Sequence, residues 1–380
     1  MAHYKMSDVV TEVNERENNP ANSKYERFVG LEHYVSGEVV IRNYGSTERL
    51  ESTMKVFQAG DILVARRNVY LKRASTVDFD GLTSGDSIVL RAKDPEIGRI
   101  LPFVLNTDAF WDFADQYSDG TMSKRLSPKT LMTFEFDLPD GEELSKLADI
   151  LWAANDTRES YQALLKQADE LVKSQFIELF GDPISNSKSL PIKQLSELAS
   201  SRLGKMLDAK KQTGKHRHPY LANFNVQWFY FDFSTLNQMD FDEADQIEFS
   251  LENGDLMVCE GGEVGRCAIW RGEIKHCYFQ KAVHRVRCNI RQVLPEYLAW
   301  WFKFHSDYNG FADIVGSKAT IAHLPGVKLK KLEIPVPNIE DQERFVRFIE
   351  QLDKSKFELK QAIANISELM KSLIQQDFSN

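Results

Sequence analysis

The side chains of this chain that are best placed to do chemistry are basic, and they come in short clusters that recur. Within residues 1–139 they are Arg66-Arg67, Lys72-Arg73 and Lys124-Arg125; within 190–335 they are Lys210-Lys211, the run from Lys215 to His218, Arg266, Lys281, Arg285 and Arg287. Arginine can span the O6/N7 edge of guanine with two parallel hydrogen bonds, and lysine neutralises phosphate, so such clusters suit a DNA surface. A single basic doublet is equally what a solvated loop carries; recurrence in two segments favours the DNA reading.

Two loops are more specific. Gly120-Thr121-Met122-Ser123-Lys124-Arg125 aligns with Gly316-Ser317-Lys318-Ala319-Thr320, and a glycine with small hydroxyls and a cation suits close approach to a phosphate. The run Glu260-Gly261-Gly262-Glu263-Val264-Gly265-Arg266, followed by Gln280-Lys281 and His284-Arg285, offers exposed backbone, bidentate Gln and Arg, and a carboxylate able to accept from cytosine. A tight hairpin explains the same glycines without function. The candidate DNA contacts are therefore Arg66, Arg67, Lys72, Arg73, Thr121, Ser123, Lys124 and Arg125 in the first segment. In the second they are Glu260, Gly261, Gly262, Arg266, Gln280, Lys281, His284, Arg285, Ser317, Lys318 and Thr320.

Other chemistries lack their residues. There is no Gly-Lys-Ser/Thr phosphate loop, no Asn-Pro-Pro-aromatic tetrad and no His-Glu-x-x-His pair, and Glu260 and Glu263 have no second carboxylate-lysine arrangement of a nuclease. No catalytic residue, bound cofactor or metal is expected of this chain itself. Cys259, Cys267, Cys277 and Cys288 are separated by seven, nine and ten residues, which fits reduced, packed thiols better than a zinc site. A charged opening segment and no run of about 18 apolar residues give no leader or membrane span, so a cytoplasmic location is expected. The net charge of −9 is uneven: residues 1–139 sum to −4, 140–189 to −5, 190–335 to +2 and 336–380 to −2. The second globular segment is thus mildly basic, while much of the acidity lies in helical segments that need not meet DNA.

The elements that must position these side chains are duplicated. Leu138-Pro139 and Val336-Pro337 each precede a long apolar heptad, and Glu170, Leu171, Lys173, Ser174 and Phe180 recur 198 residues later as Glu368, Leu369, Lys371, Ser372 and Phe378. Gly60-Asp61-Ile62-Leu63-Val64 resembles Gly254-Asp255-Leu256-Met257-Val258, and Leu101-Pro102 resembles Leu294-Pro295. The first heptad seam runs Leu144, Leu147, Leu151, Ala154, Arg158, Tyr161, Leu165, Ala168, Val172, Gln175, Leu179; the second repeats its register from Gln342 through Phe345, Ile349, Leu352, Lys356 and Leu359 onward. Two matched seams pair most simply with each other, although each could pack on its own domain. About 40 residues make a rod of about 60 Å, longer than such a domain is wide. Arg158 and Lys356, which interrupt the seams, are expected to lay their stems on the stripe and reach water.

Strand-like runs at 38–42, 61–65, 87–90, 256–259, 267–270 and 283–288, with helix-like stretches at 101–117 and 294–308, predict an α+β fold with mixed or antiparallel sheets. The expected order is a recognition domain over 1–139, a helix over 140–182, a second domain over 183–335 and a second helix over 336–380.

In this arrangement the chain resembles the specificity subunits of type I restriction-modification systems over essentially its full length. The carrying residues are Leu138-Pro139, the run Ile334-Pro335-Val336-Pro337-Asn338-Ile339-Glu340-Asp341-Gln342, the helix end Glu178-Leu179-Phe180-Gly181-Asp182-Pro183, and the Gly-Asp strands at Gly60 and Gly254. In the first copy Asp140-Gly141-Glu142-Glu143 replaces the usual Glu-Gln run. The resemblance implies two target-recognition domains, each reading half of a split, asymmetric double-stranded DNA site. It implies an antiparallel coiled coil acting as a ruler, with half-sites very roughly 10 to 15 base pairs apart. The partners it implies are two methyltransferase subunits carrying S-adenosylmethionine and restriction subunits carrying ATP and magnesium. A coiled-coil scaffold with protein-binding ends is the alternative from another class.

Overall fold

A computed structural model describes residues 1–120, 123–208, 212–312 and 323–378. It divides the chain into two compact units, Met1–Ala163 with Leu359–Asn380, and Leu164–Glu358. The divisions fall inside the two long helices rather than at their ends, so each helix contributes part of its length to either unit.

The duplication seen in the sequence is a duplication of topology. In the first unit an antiparallel sheet has the order Val10–Glu12, Ser87–Ala92, Ile62–Ala65, Ala74–Thr76; in the second the order is Ala199–Leu203, Val283–Cys288, Leu256–Cys259, Cys267–Ile269. A further sheet, of five strands in the first unit and three in the second, contains one parallel pair in each, Phe28 opposite Leu82 and Tyr220 opposite Tyr278. A two-stranded ribbon closes each unit: Ala2–Lys5 with Glu135–Leu138, and Ile192–Gln194 with Glu333–Pro335.

Why the central strands are unbroken apolar runs follows from what lies on either side. Ile62 and Val64 enter one core while Leu63 and Ala65 enter another. Likewise Leu256 and Val258 face one cluster and Met257 and Cys259 a second. A strand covered on both faces has no polar side to alternate with.

The Gly-Asp pairs ahead of these strands have a structural cause. Gly60 and Gly254 sit at φ +88° and +94°, where a side chain is costly, and turn the chain into the strand. The following aspartates are 1% exposed and each takes a two-bond arginine from the neighbouring strand, Asp61 from Arg91 at 2.7 and 2.7 Å and Asp255 from Arg287 at 2.7 and 2.8 Å. Burying the carboxylate is tolerated because its charge is paired and its oxygens also accept the backbone N–H of Gln58 or Glu252.

Three expectations are corrected. Residues 38–42 are not a strand; Val40 makes only an isolated bridge to Thr76. The stretch 101–117 is two helices, Pro95–Val104 and Asp108–Tyr117, broken where Thr107 caps the second by accepting from Phe110 N. Leu101-Pro102 is therefore not the counterpart of Leu294-Pro295, since Pro102 lies inside a helix whereas Pro95 and Pro295 each open one after the fourth strand.

The long helices run Gly141–Phe180 and Ile339–Phe378. In the first unit Leu144, Leu147, Ala148 and Leu151 share a core with Met370 and with the half-buried Ile366 and Leu373. In the second, Phe345 packs on Phe176 and Phe180, while Lys356 bonds Asp169 at 2.5 Å; advancing along one helix means retreating along the other, so the segments there are antiparallel. Each half-helix therefore packs on its own globular core as well as on the other helix. Arg158 does not reach water as expected but pairs with Glu38 at 2.6 Å and Asn155 at 3.0 Å. Gln342 is fully buried because its amide accepts from Leu294 N and donates to the carbonyls of Gln292 and Pro337, fastening the helix start to the domain below it.

Candidate nucleic-acid interface

In both units the same three segments converge at one end of the four-stranded sheet. The first is the hairpin joining the third- and fourth-ranked strands, residues 66–73 in one unit and 260–266 in the other. The second is the turn before the last sheet strand, 84–86 or 280–282, whose last carbonyl accepts from the hairpin: Arg66 N donates to Asp86 O at 2.9 Å, Glu260 N to Ala282 O at 2.8 Å. The third is the segment ahead of the next short helix. It donates back, Leu126 N to Arg66 O at 2.8 Å and Leu324 N to Glu260 O at 2.6 Å. Bridges between Arg67 and Arg125, and between Gly261 and His323, complete the correspondence. Residues far apart in sequence are thus held on one framework in each unit.

In the first unit this framework gathers arginines. Arg67 and Arg125, about half exposed, both donate to the carboxylate of Asp86, Arg67 at 3.3 Å. Arg66 lies beside them with its Nε buried and unpartnered; burial, and then Arg125, pull its guanidinium down from the usual value. Asn68, in the left-handed region at φ 55°, receives Ser123 Oγ at 3.0 Å and donates its N–H to Lys124 O. The Lys124 ammonium rests on Asp115 at 2.6 Å. These pairs are solvent-exposed, so each is worth little to stability, and the Lys124 ammonium is free to leave Asp115 for a phosphate.

One candidate of this unit serves the fold instead: Arg73 donates to Leu31 O at 3.0 Å and to Arg67 O at 3.1 Å, clamping the hairpin. Lys72, at φ 46°, makes an exposed pair with Asp108 at 2.6 Å and holds that carboxyl below the usual range. Thr121 lies outside the described residues, as do Lys210, Lys211, Ser317, Lys318 and Thr320.

In the second unit the hairpin is braced differently. Gly262 and Gly265 take φ +75° and +82°, and at Gly265 a Cβ would meet the Phe311 ring at 2.6 Å. Asn223 ties the loop down by donating to Gly261 O at 2.7 Å and accepting from Arg266 at 2.9 Å. Glu263 accepts from the Trp228 indole. Lys281 is exposed and projects from a turn in which Ala282 takes φ 88°, strain of the kind that over-determined surroundings maintain. Gln280 is half-buried in the same turn, and Glu260 is half-buried at the hairpin base.

His284 and Arg285 are corrected as contacts. His284 is 1% exposed with Nε2 3.1 Å from Leu324 O, and burial lowers its pKa. Arg285 donates to the carbonyls of Ser250 and Glu248 and lies over the Phe279 ring. Both sit on a strand in strict alternation, so their side chains go to the sheet faces rather than the loop end. Arg266 is also largely committed to Asn223.

Asp86, Asn223 and Trp228 were missed by sequence reasoning. A carboxylate or amide in a loop carries no signal until the segment it meets is known. The four cysteines are free, three of them buried, with burial pushing the Cys259 thiol up to about 11 and Cys277 and Cys288 up to about 12. Among the described residues no group of three or more His, Cys, Asp or Glu is placed to hold a metal ion, and no helix is long and apolar enough to cross a membrane.

Residues 188–368 match the family model described as the type I restriction modification DNA specificity domain. The type I restriction enzyme EcoKI specificity subunit of Escherichia coli (strain K12) is 23% identical over 181 residues, 45% of this chain and 39% of that relative, so the match spans about two fifths of the relative's length. Two solved structures share the fold over almost the whole chain. A type I restriction-modification S subunit from M. genitalium has a TM-score of 0.59 at 14% identity, covering 100% of this chain and 96% of that one. A chain solved for complex assembly and conformational transition of the type I R-M system has a TM-score of 0.56 at 15% identity, covering 99% and 97%.

Proposed function

We propose that this chain, whose residues 188–368 match the type I restriction modification DNA specificity domain, reads a bipartite double-stranded DNA site and catalyses nothing itself. The observation that carries this is the convergence, twice in one chain, of the same three loop segments at the same end of equivalent sheets. Each unit reads one half-site: Arg67, Lys124 and Arg125 act in the first, and Gln280, Lys281 and the hairpin around Gly262 in the second. Thr121, Ser317, Lys318 and Thr320 are proposed as phosphate contacts on their residue types and their place in the sequence.

The catalytic partners in this reading are methyltransferase subunits, which hold S-adenosylmethionine, and restriction subunits, which hold ATP and magnesium, all in the cytoplasm. Apolar side chains left exposed on the long helices support docking of partners there: Ile150 and Leu369 in the first unit, Leu164, Leu171 and Phe357 in the second.

The test is to co-express the chain with its methyltransferase subunits and map methylated adenines across the host genome. A split motif that vanishes when this chain is omitted supports the reading. Assembly of the complex with no chain-dependent methylation would sink it, leaving the protein-scaffold alternative.

A further inference from the structure

We infer that Asp86 is a positioning residue that aims the Arg67 and Arg125 guanidinium groups at the O6/N7 edge of guanine, so that the half-site read by the first unit contains guanine. This deepens the DNA-reading proposal and rests on it.

Asp86 is not a casual surface carboxylate. Its own carbonyl accepts Arg66 N at 2.9 Å, its N–H donates to Ser84 Oγ at 3.2 Å, and its side chain is less exposed, at 24%, than the arginines it holds, at 51% and 44%. Arg67 and Arg125 face each other across a backbone bridge, and one oxygen of Asp86 takes each of them. Each guanidinium spends one Nη on the carboxylate, and among the described residues its other nitrogens take no further hydrogen-bond partner. A fork already held in one orientation loses little rotamer freedom on binding, and its free edge matches two adjacent acceptors in one plane.

Charge decides between guanine and phosphate. Two arginines sharing one aspartate attract an anion less than two free arginines do, and a phosphate at their free edges would lie close to the Asp86 carboxylate. Guanine O6 and N7 are neutral acceptors and meet no such repulsion. The second unit shows the contrast: the residue whose carbonyl accepts the equivalent hairpin N–H there is Ala282, which brings no carboxylate to its hairpin. The device belongs to the first unit.

The experiment uses the assembled complex with wild-type chain, D86A, D86N and R67A. Methylation mapping gives the motif, and the half degraded by R67A is the one read by the first unit. Fluorescence anisotropy then compares the cognate duplex with duplexes carrying A·T in place of each G·C pair of that half. Wild type is expected to discriminate by a factor of ten or more at one guanine at least. D86A is expected to bring that factor to about threefold or less while binding unrelated duplex as well as or more tightly than wild type, with D86N intermediate. A merely structural aspartate would instead weaken all duplexes alike and leave the discrimination factor unchanged. That outcome overturns the inference, as does a first-unit half-site without guanine or full discrimination in D86A. Absence of any chain-dependent methylation with wild type removes the DNA-reading proposal itself, and this inference with it.

Discussion

At the scale of single residues, ion pairs divide by burial into those that hold the fold and those poised for a ligand. Asp61 and Asp255 are closed off with their arginines, and Asp255→Ala is expected to cost about 2 kcal/mol, because Arg287 and the Glu252 N–H lose their acceptor while the arginine still reaches some water. Urea unfolding monitored in the second unit checks this, and an unchanged midpoint would contradict the assigned role. His284 supplies a pH dependence. Burial lowers its folded pKa below the unfolded value, so its contribution to stability is complete above about pH 6.5 and is lost as pH falls from there through the folded value. His284→Gln, which cannot titrate, is expected to flatten stability against pH below about 6.5. Some slope will persist because His305 is lowered by burial in the same unit. A slope unaltered by the substitution would show that His284 is not the group responsible.

At the scale of elements, the aromatic cluster where the long helices meet the second domain carries the packing. Phe176 is fully buried and touches Phe180, Tyr297, Phe304 and Phe345 at ring separations of 4.8 to 5.8 Å. Phe176→Ala is expected to destabilise the second unit by about 3–5 kcal/mol, since a rigid set of rings cannot collapse into the space left behind. Differential scanning calorimetry resolves this, and a loss below about 1 kcal/mol would mean that the cluster repacks. The heptads were legible from periodicity alone, and the strands 62–65 and 256–259 from their apolar runs. The break at Asn106-Thr107 was not, because the flanking apolar pattern continues across it and only the cap geometry ends the first helix. The segment 38–42 was overcalled for the converse reason: Val39, Val40 and Ile41 are buried as a strand's would be, but they cover a core without joining a ladder.

At the scale of the whole molecule, the proposed reading of one half-site by each unit makes binding defects separable. Substituting Arg67 and Arg125 together by Ala is expected to relax the motif in one half only. Lys281→Ala should weaken binding through the other half and lower the slope of log affinity against log salt by about 1. Degradation of both halves by either change would contradict independent readers. The sequence by itself determined that the chain is a repeat and that its fold is α+β with two long amphipathic helices, since period, composition and apolar spacing are local properties of the chain. Only the tertiary structure decided which cations are available. Arg73, His284 and Arg285 look as suitable in sequence as Arg67 and Arg125, yet the first three are consumed by carbonyls brought from 35 to 42 residues away. Asp86 meets Arg67 and Arg125 only when three separate segments close on one another. A side chain's role depends on which partners reach it, and those partners are supplied by long-range pairing that no local pattern encodes.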